Sequence, residues 1–377
     1  MAKNWMSKLA DLEGAVSQPK DIHSQVIQTA SPSLNFTFGH GWGMPRGHSI
    51  LLYGLPKAGK SIVSLMFAAG AQKDYKDGIV IKFNTEMREE GQVDNHLSEI
   101  LGLDRNRYMG FDVNSPALIF DKIEKEISAL CQDGMPLITV ILDSVNGVQG
   151  RRAMDSDTIM DQQRGDVAAT LKDGLKRILP IQRKHNFALI MTSHVSVEMD
   201  PTLAKVHGPW KLGASNGTQG HTEYFLLVER NIWKAGRQDA MGNDLVDENL
   251  KDLAGKDGKG ELTGNKIQVT MKDSSFGVRG RTGEFTFDFN RGVINQHEEV
   301  FLLSTRRGVV QRPNNTSYVF GERKWVGKEA FLEALKNDQG LQDAILKELR
   351  MRDLAGQMAV YDAADAKVAD ASGKTPS

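Results

Sequence analysis

From Ser49 onward the chain alternates short apolar runs with segments whose apolar residues recur at helical spacing. The runs are Ile50–Tyr53, Ile79–Phe83, Ile138–Leu142, Ala188–Met191 and Tyr224–Val228. Between them lie Ile62–Gln72, Glu89–Leu101, Pro116–Cys131 and Gly165–Lys184. Strands buried on both faces read as continuous apolar runs, and their alternation with helices predicts an α/β fold: a mainly parallel, twisted sheet flanked by helices. Pro180 falls inside the last helical segment and predicts either a kink near Ile178 or the final turn. Farther along, Lys266–Lys272 and Glu284–Phe289 alternate with a two-residue period and extend the sheet.

The flanking segments read differently. Residues 1–30 carry a short amphipathic pattern (Trp5, Met6, Leu9, Leu12, Val16) and then a polar stretch with Pro19, which predicts a small helix and a linker. The main core is expected over 31–300, interrupted by an exposed Gly-, Asp- and Lys-rich insertion at 234–265. A small C-terminal domain is expected over 301–361, with 325–350 as a compact helical piece, and 362–377 reads as a disordered tail.

Composition changes this picture little. A chain of 377 residues that is 40% hydrophobic and 25% charged can bury an ordinary globular core. With a formal net charge of −1, bulk charge offers no support for nucleic-acid binding, so any such surface must be local. Cys131, the single cysteine, excludes an intramolecular disulfide and fits a reducing compartment. There is no apolar run of 18 residues and no long apolar stretch near Met1, so a cytoplasmic chain without a membrane span is expected.

The chemistry begins at Gly54-Leu55-Pro56-Lys57-Ala58-Gly59-Lys60-Ser61, a complete Walker A loop between a strand ending at Tyr53 and a helix beginning at Lys60. Its glycines let backbone N–H groups curl around phosphate oxygens and deliver them to a helix N-terminus, with Ile62 in the first turn. Lys60 is placed to reach the β- and γ-phosphates of ATP, and the Ser61 hydroxyl to ligate Mg²⁺. The strand Ile138–Leu142 ends in Asp143, where such a site needs an acid to hold the water shell of the metal. Glu86 follows the strand Ile79–Phe83, in a position to orient or deprotonate an attacking water. His194, after Ala188–Met191, is placed to touch the terminal phosphate and report it to the segment that follows.

The order of these elements resembles the RecA-type recombinases, and most closely the UvsX-like recombinases of T4-type bacteriophages. The resemblance runs from Ser33-Leu34 and Gly41-Trp42-Gly43-Met44-Pro45-Arg46-Gly47 through the Walker A loop, Asn84-Thr85-Glu86 and Leu101-Gly102-Leu103-Asp104-Arg105-Asn106-Arg107. It continues in Leu142-Asp143-Ser144-Val145 and Thr192-Ser193-His194 and covers about 33–295. It implies a RecA-like ATPase core that forms helical filaments on single-stranded DNA, pairs it with double-stranded DNA, and works with single-strand-binding and loader proteins. It implies Glu86 as catalytic glutamate, Asp143 as the Walker B acid and His194 as γ-phosphate sensor, a position held by Gln in bacterial RecA. Two DNA-binding loops are implied near 148–165 and 196–219.

The first of these holds Arg151, Arg152 and Arg164 beside Asp155, Asp157 and Asp161; the second holds Lys205, Trp210 and Lys211. Cations there can neutralise phosphates and the indole can stack on bases, while scattered charges on a plain surface loop would look the same. Lys272 matches the first of two lysines that reach a neighbouring protomer's ATP in bacterial RecA. Ser274 stands at the second, leaving Arg279 or Arg281 as the other candidate cation. Two other readings share the same core: a hexameric helicase motor of the DnaB type, and a non-catalytic scaffold gated by ATP.

Overall fold

The computed structural model of the chain describes residues 25–39, 42–87, 91–148, 164–202, 205, 209–231, 237–238, 261–262 and 264–353. The expected N-terminal helix, most of the 234–265 insertion and the 362–377 tail lie outside the described residues.

Each apolar run is a strand: β1 Ser49–Gly54, β2 Ile79–Asn84, β4 Leu137–Asp143, β5 Ala188–Val197 and β7 Tyr224–Asn231. The two alternating runs form β8 Gly264–Ser274 and β9 Thr282–Asp288. Three further strands carry no such pattern: β3 Tyr108–Asp112, β6 Trp210–Leu212 and β10 Gly292–Ile294. Together they make one ten-stranded sheet in the order β10-β9-β8-β7-β1-β5-β4-β2-β3, with β6 pairing β5. From β7 across to β3 the pairing is parallel. The β8–β10 extension is antiparallel.

The helices follow the spacing of apolar positions. They are α1 Lys60–Asp74, α2 Gly91–Leu101 and α3 Arg164–His185, while 116–132 is helical with a π-helical turn at Lys122–Ile127. Pro180 neither ends α3 nor sits in its last turn: the helix continues to Arg183-Lys184-His185, cations that suit the negative end of its dipole.

Alternate residues of β1 serve opposite layers, as a period of two requires. Ile50 and Leu52 pack with Val63, Leu65 and Phe67 of α1, whereas Leu51 packs with Leu171, Leu175 and Ile178 of α3. A third cluster holds Val300, Phe301, Tyr318, Phe331, Leu341 and Ile345, into which Phe36 and Trp42 insert from the start of the chain.

The C-terminal piece is not purely helical. Between α4 Gln296–Arg306 and α5 Lys328–Asn337 lies a three-stranded antiparallel sheet, β11 Gln311–Asn314, β12 Ser317–Phe320 and β13 Arg323–Val326. Trp325, expected in a helix, pairs with Tyr318 on this sheet. All four residues of β11 are exposed, so no alternation betrays the strand.

Glu299, at the start of α4, joins this piece to the core. Its Oε2 accepts the Ser31 hydroxyl at 2.6 Å and the Ser33 N–H at 2.9 Å. Burial pushes its carboxyl up from 4.5 to about 8 against the lowering effect of those hydrogen bonds. An unfolded glutamate therefore loses its proton first. The stability that this group contributes is complete below about 4.5 and is lost as pH rises toward about 8. The Tm should accordingly fall over that interval, and Glu299→Gln, which keeps an acceptor oxygen without the titration, should flatten the slope. Thermal unfolding across pH checks this, and an equal slope in both proteins would remove Glu299 as its source.

Candidate functional site

Parallel pairing brings the carboxyl ends of β1, β2, β4 and β5 to one edge, where open α/β sheets bind ligands. The register is level: Gly54 pairs with His194, and Asn84 with Asp143. Residues far apart in the chain thus meet around a cavity of about 610 Å³ lined by Lys57, Gly59, Lys60, Ser61, Glu86, Asp143 and His194.

The loop itself has the backbone the sequence demands. Gly59 adopts φ 104°, in the left-handed region, and a Cβ on it would meet Ile267 at 2.7 Å. A Cβ on Gly54 would lie 2.2 Å from the Val228 carbonyl oxygen, so only glycine lets β7 run this close. No side chain caps α1, which leaves its first N–H groups turned toward the cavity. Leu55, Pro56 and Lys57 form the exposed crest, while Ala58 and Ile62 anchor the loop underneath.

Lys60 Nζ donates to the carbonyls of Gly54 and Leu55 at 3.1 and 3.0 Å and lies 3.4 Å from His194 Nδ1. His194 Nε2 lies 2.9 Å from Glu86 Oε1. One tautomer satisfies both: Nε2–H donates to Glu86 and Nδ1 accepts from Lys60. The Ser144 hydroxyl also donates to Glu86 Oε1, at 2.9 Å. Thr85 locks this strand end by donating from its hydroxyl to the Ser144 carbonyl at 2.6 Å while accepting the Ser144 N–H at 2.7 Å.

Asp143 sits opposite. Its Oδ2 accepts the Ser61 hydroxyl at 2.9 Å and its Oδ1 the Thr192 hydroxyl at 2.5 Å. Two oxygen donors meeting at the mouth of a phosphate loop suit a hard cation such as Mg²⁺. Among the described residues no group of three or more His, Cys, Asp or Glu is assembled for a metal, so phosphate oxygens and water would complete its shell.

Several contributors were not anticipated. Lys82, inside the apolar run of β2, reaches Asp143 Oδ2 with its Nζ at 3.5 Å while only 1% of its side chain is exposed. The signal was a lysine in a run otherwise written for burial. His96, Arg230, Asn265 and Phe289 also line the cavity. Asn146 Oδ1 accepts the His194 N–H at 2.7 Å and the Ser193 hydroxyl at 2.9 Å, tying the end of β4 to the end of β5.

The remaining sequence-picked residues lie apart from this cavity or outside view. Arg151 and Arg152 fall outside the described residues, and Arg164 opens α3 without a described side chain. The segment 196–219 is only partly a loop: β5 runs on to Val197 and pairs antiparallel with β6, Val197 opposite Trp210. Lys205 and Lys211 are exposed. Trp210 is half-buried, its Nε1 donating to Glu229 at 3.4 Å beside Leu55 and Pro56, on the outer side of the phosphate loop.

Lys272 is exposed at a bulge in β8, level with Phe225 and Leu226, toward the end of the sheet away from Gly54. Arg281 is committed within the protomer by two bonds to Asp353, at 2.6 and 2.8 Å, and by stacking over Phe36. Ser274 is buried. Arg279 is exposed and paired with Asp273 at 2.7 Å.

A parallel sheet with a glycine-rich loop running into a helix, faced by a strand-end aspartate, defines an α/β protein of the P-loop class. A family model described as RecA N-terminal domain matches residues 12–200, half of the chain, and the chain belongs to the RecA family. It is similar to Protein RecA of Mycoplasma genitalium, 25% identical over 338 residues covering 90% of this chain and 88% of that one. Protein RecA of Thermus thermophilus is 23% identical over 346 residues, covering 90% and 88%. DNA repair protein recA homolog 3, mitochondrial, of Arabidopsis thaliana is 20% identical over 346 residues, covering 92% and 71%.

Proposed function

We propose that the chain is an ATP- and Mg²⁺-dependent DNA recombinase that forms helical filaments on single-stranded DNA and catalyses homologous pairing and strand exchange. The observation that carries this reading is the Lys60–His194–Glu86 chain of contacts at the phosphate loop of a RecA-family protein. It links a phosphate-binding lysine to an acid placed for water and to the strand that leads into the second loop.

In this reading the N–H groups of 54–61 and Lys60 hold the phosphates, and Glu86 orients the attacking water. Ser61 and, through water, Asp143 would hold magnesium, which would supply charge neutralisation to the transferred phosphoryl group. His194 contacts the terminal phosphate and passes its presence along β5, so that nucleotide state sets DNA affinity. The exposed Lys272, turned away from its own phosphate loop, completes the site of a neighbouring protomer. Arg151, Arg152, Arg164, Lys205 and Lys211 supply phosphate contacts, and Trp210 joins them if the β5–β6 hairpin opens on DNA. A phage origin, with His194 in place of the bacterial glutamine, a bacterial cytoplasm, and single-strand-binding and loading partners complete the proposal.

Single-stranded DNA affinity should rise with ATP and fall steeply as salt increases, by about 10²–10³-fold between 50 and 200 mM if some six phosphates are contacted. Fluorescence anisotropy across salt measures this, and a salt-independent or absent interaction ends the DNA reading. Electron microscopy with ATP and single-stranded DNA should show open helical filaments. Closed six-membered rings that unwind duplexes would instead assign the chain to the helicase motors.

A further inference from the structure

We infer that Lys82 is a buried counter-charge to Asp143 that lowers the affinity of the nucleotide site for its divalent metal, so that the metal enters with the phosphates rather than alone. The inference rests on the ATP–magnesium reading of this same site and concerns how that site is tuned.

The placement is unusual for a lysine. β2 is an interior strand, paired on both sides by β3 and β4. Val80, two residues earlier, points into the α1 layer, so the two-residue period places Lys82 on that layer too. Lys82 pairs across the sheet with Ile141, and Asn84 with Asp143. Its stem thus runs diagonally by two register positions toward the strand tip and brings Nζ to 3.5 Å from Asp143 Oδ2. Lysines are almost never fully buried unless paired, because an ammonium without a counter-charge is costly to desolvate.

The consequence lies in which oxygen is used. Oδ2 also accepts the Ser61 hydroxyl, so the ammonium sits at the side of Asp143 that faces the proposed metal ligand. Asp143 side-chain exposure is 11% and that of Lys82 is 1%, so solvent screens the pair little. A fixed positive charge here cancels much of the negative potential that Asp143 presents. A hydrated divalent ion then gains little from the protein alone and is retained when nucleotide phosphates add their own negative charge. A lysine that merely fills space or fixes the Asp143 rotamer would act in the opposite direction, since its loss would disorder the carboxylate and weaken metal binding.

The experiment is equilibrium binding of a fluorescent ATP analogue to the full chain as Mg²⁺ is titrated, for wild type, Lys82→Met and Lys82→Gln. Both variants remove the charge at similar length, one apolar and one polar, and thermal unfolding of each reports whether the fold is kept. The Mg²⁺ midpoint should fall by about tenfold or more in both variants. In EDTA, nucleotide binding should be no tighter than in wild type, because only the metal gains from removal of the lysine. A midpoint that rises or stays unchanged in a folded variant overturns the role of Lys82 while leaving the ATP–magnesium site in place. If wild type itself shows no Mg²⁺-dependent nucleotide binding, the reading of the site and the inference fall together.

Discussion

Lys60→Ala should abolish measurable ATP binding and lower hydrolysis by about 10²-fold or more, since phosphoryl transfer depends almost wholly on positioning and electrostatics. Lys60 Nζ stands where three acceptors converge, the Gly54 and Leu55 carbonyls and His194 Nδ1. Alanine is a good helix former, so the first turn of α1 survives the change. The two carbonyls lose a donor, but they border an open cavity where water replaces it, and the fold should stand. Isothermal titration with ATP and a steady-state ATPase assay measure the effect. Full hydrolysis by the variant would sink the P-loop assignment.

Glu86→Gln should separate binding from chemistry. Glutamine keeps an oxygen that accepts the Ser144 hydroxyl, a contact made by Glu86 Oε1 at 2.9 Å. The amide can hold His194 at a similar distance, so the cavity keeps its shape and ATP still binds. What is lost is a carboxylate able to orient or take a proton from water, and loss of a general base of this kind typically costs 10²–10⁴-fold. Turnover should fall by at least about 10²-fold with nucleotide affinity within a few-fold of wild type. An unchanged turnover rate would remove Glu86 from the mechanism. A parallel loss of ATP binding would make it a structural prop for His194.

Much of the architecture was legible because burial leaves a period in the sequence. β4, written Leu-Ile-Thr-Val-Ile-Leu-Asp, is buried at every residue, and a strand covered on both faces shows a near-continuous apolar run rather than alternation. β8 and β9 alternate because one face of this antiparallel part of the sheet is partly open. Edge elements escaped for the converse reason. β3 has no fully buried residue, and β11 is exposed throughout, so neither shows an apolar stripe. Trp325 looked helical from its neighbours, yet it pairs with Tyr318 in β12 and its ring packs against Phe331 at a centroid distance of 4.8 Å.

Local rules reached only part of the site. The phosphate loop is a continuous eight-residue segment whose backbone requirements are written in its glycines, so its place was readable without a fold. Glu86, Asp143 and His194 were readable as residues at strand tips, but not as partners. Their meeting depends on strand order and level register, which no short stretch encodes. The placement of the trans candidates shows the same limit: Arg281 is an exposed-looking arginine in sequence, yet it is spent on Asp353 some 72 residues away.

The sequence by itself determined the alternation of strands and helices, the glycine-rich loop and the acids placed at strand tips. These follow from short-range chemistry, namely side-chain periodicity and the conformational freedom of glycine. Only the tertiary structure decided what those residues face. It set Lys60, His194 and Glu86 in one line of contacts, buried Glu299 against Ser31, inserted Trp42 into the C-terminal core and turned Lys82 from one polar letter in an apolar run into a charge beside Asp143. Charge and hydrogen-bond effects depend on distance and on exclusion of water, and both are properties of packing between segments far apart in the chain.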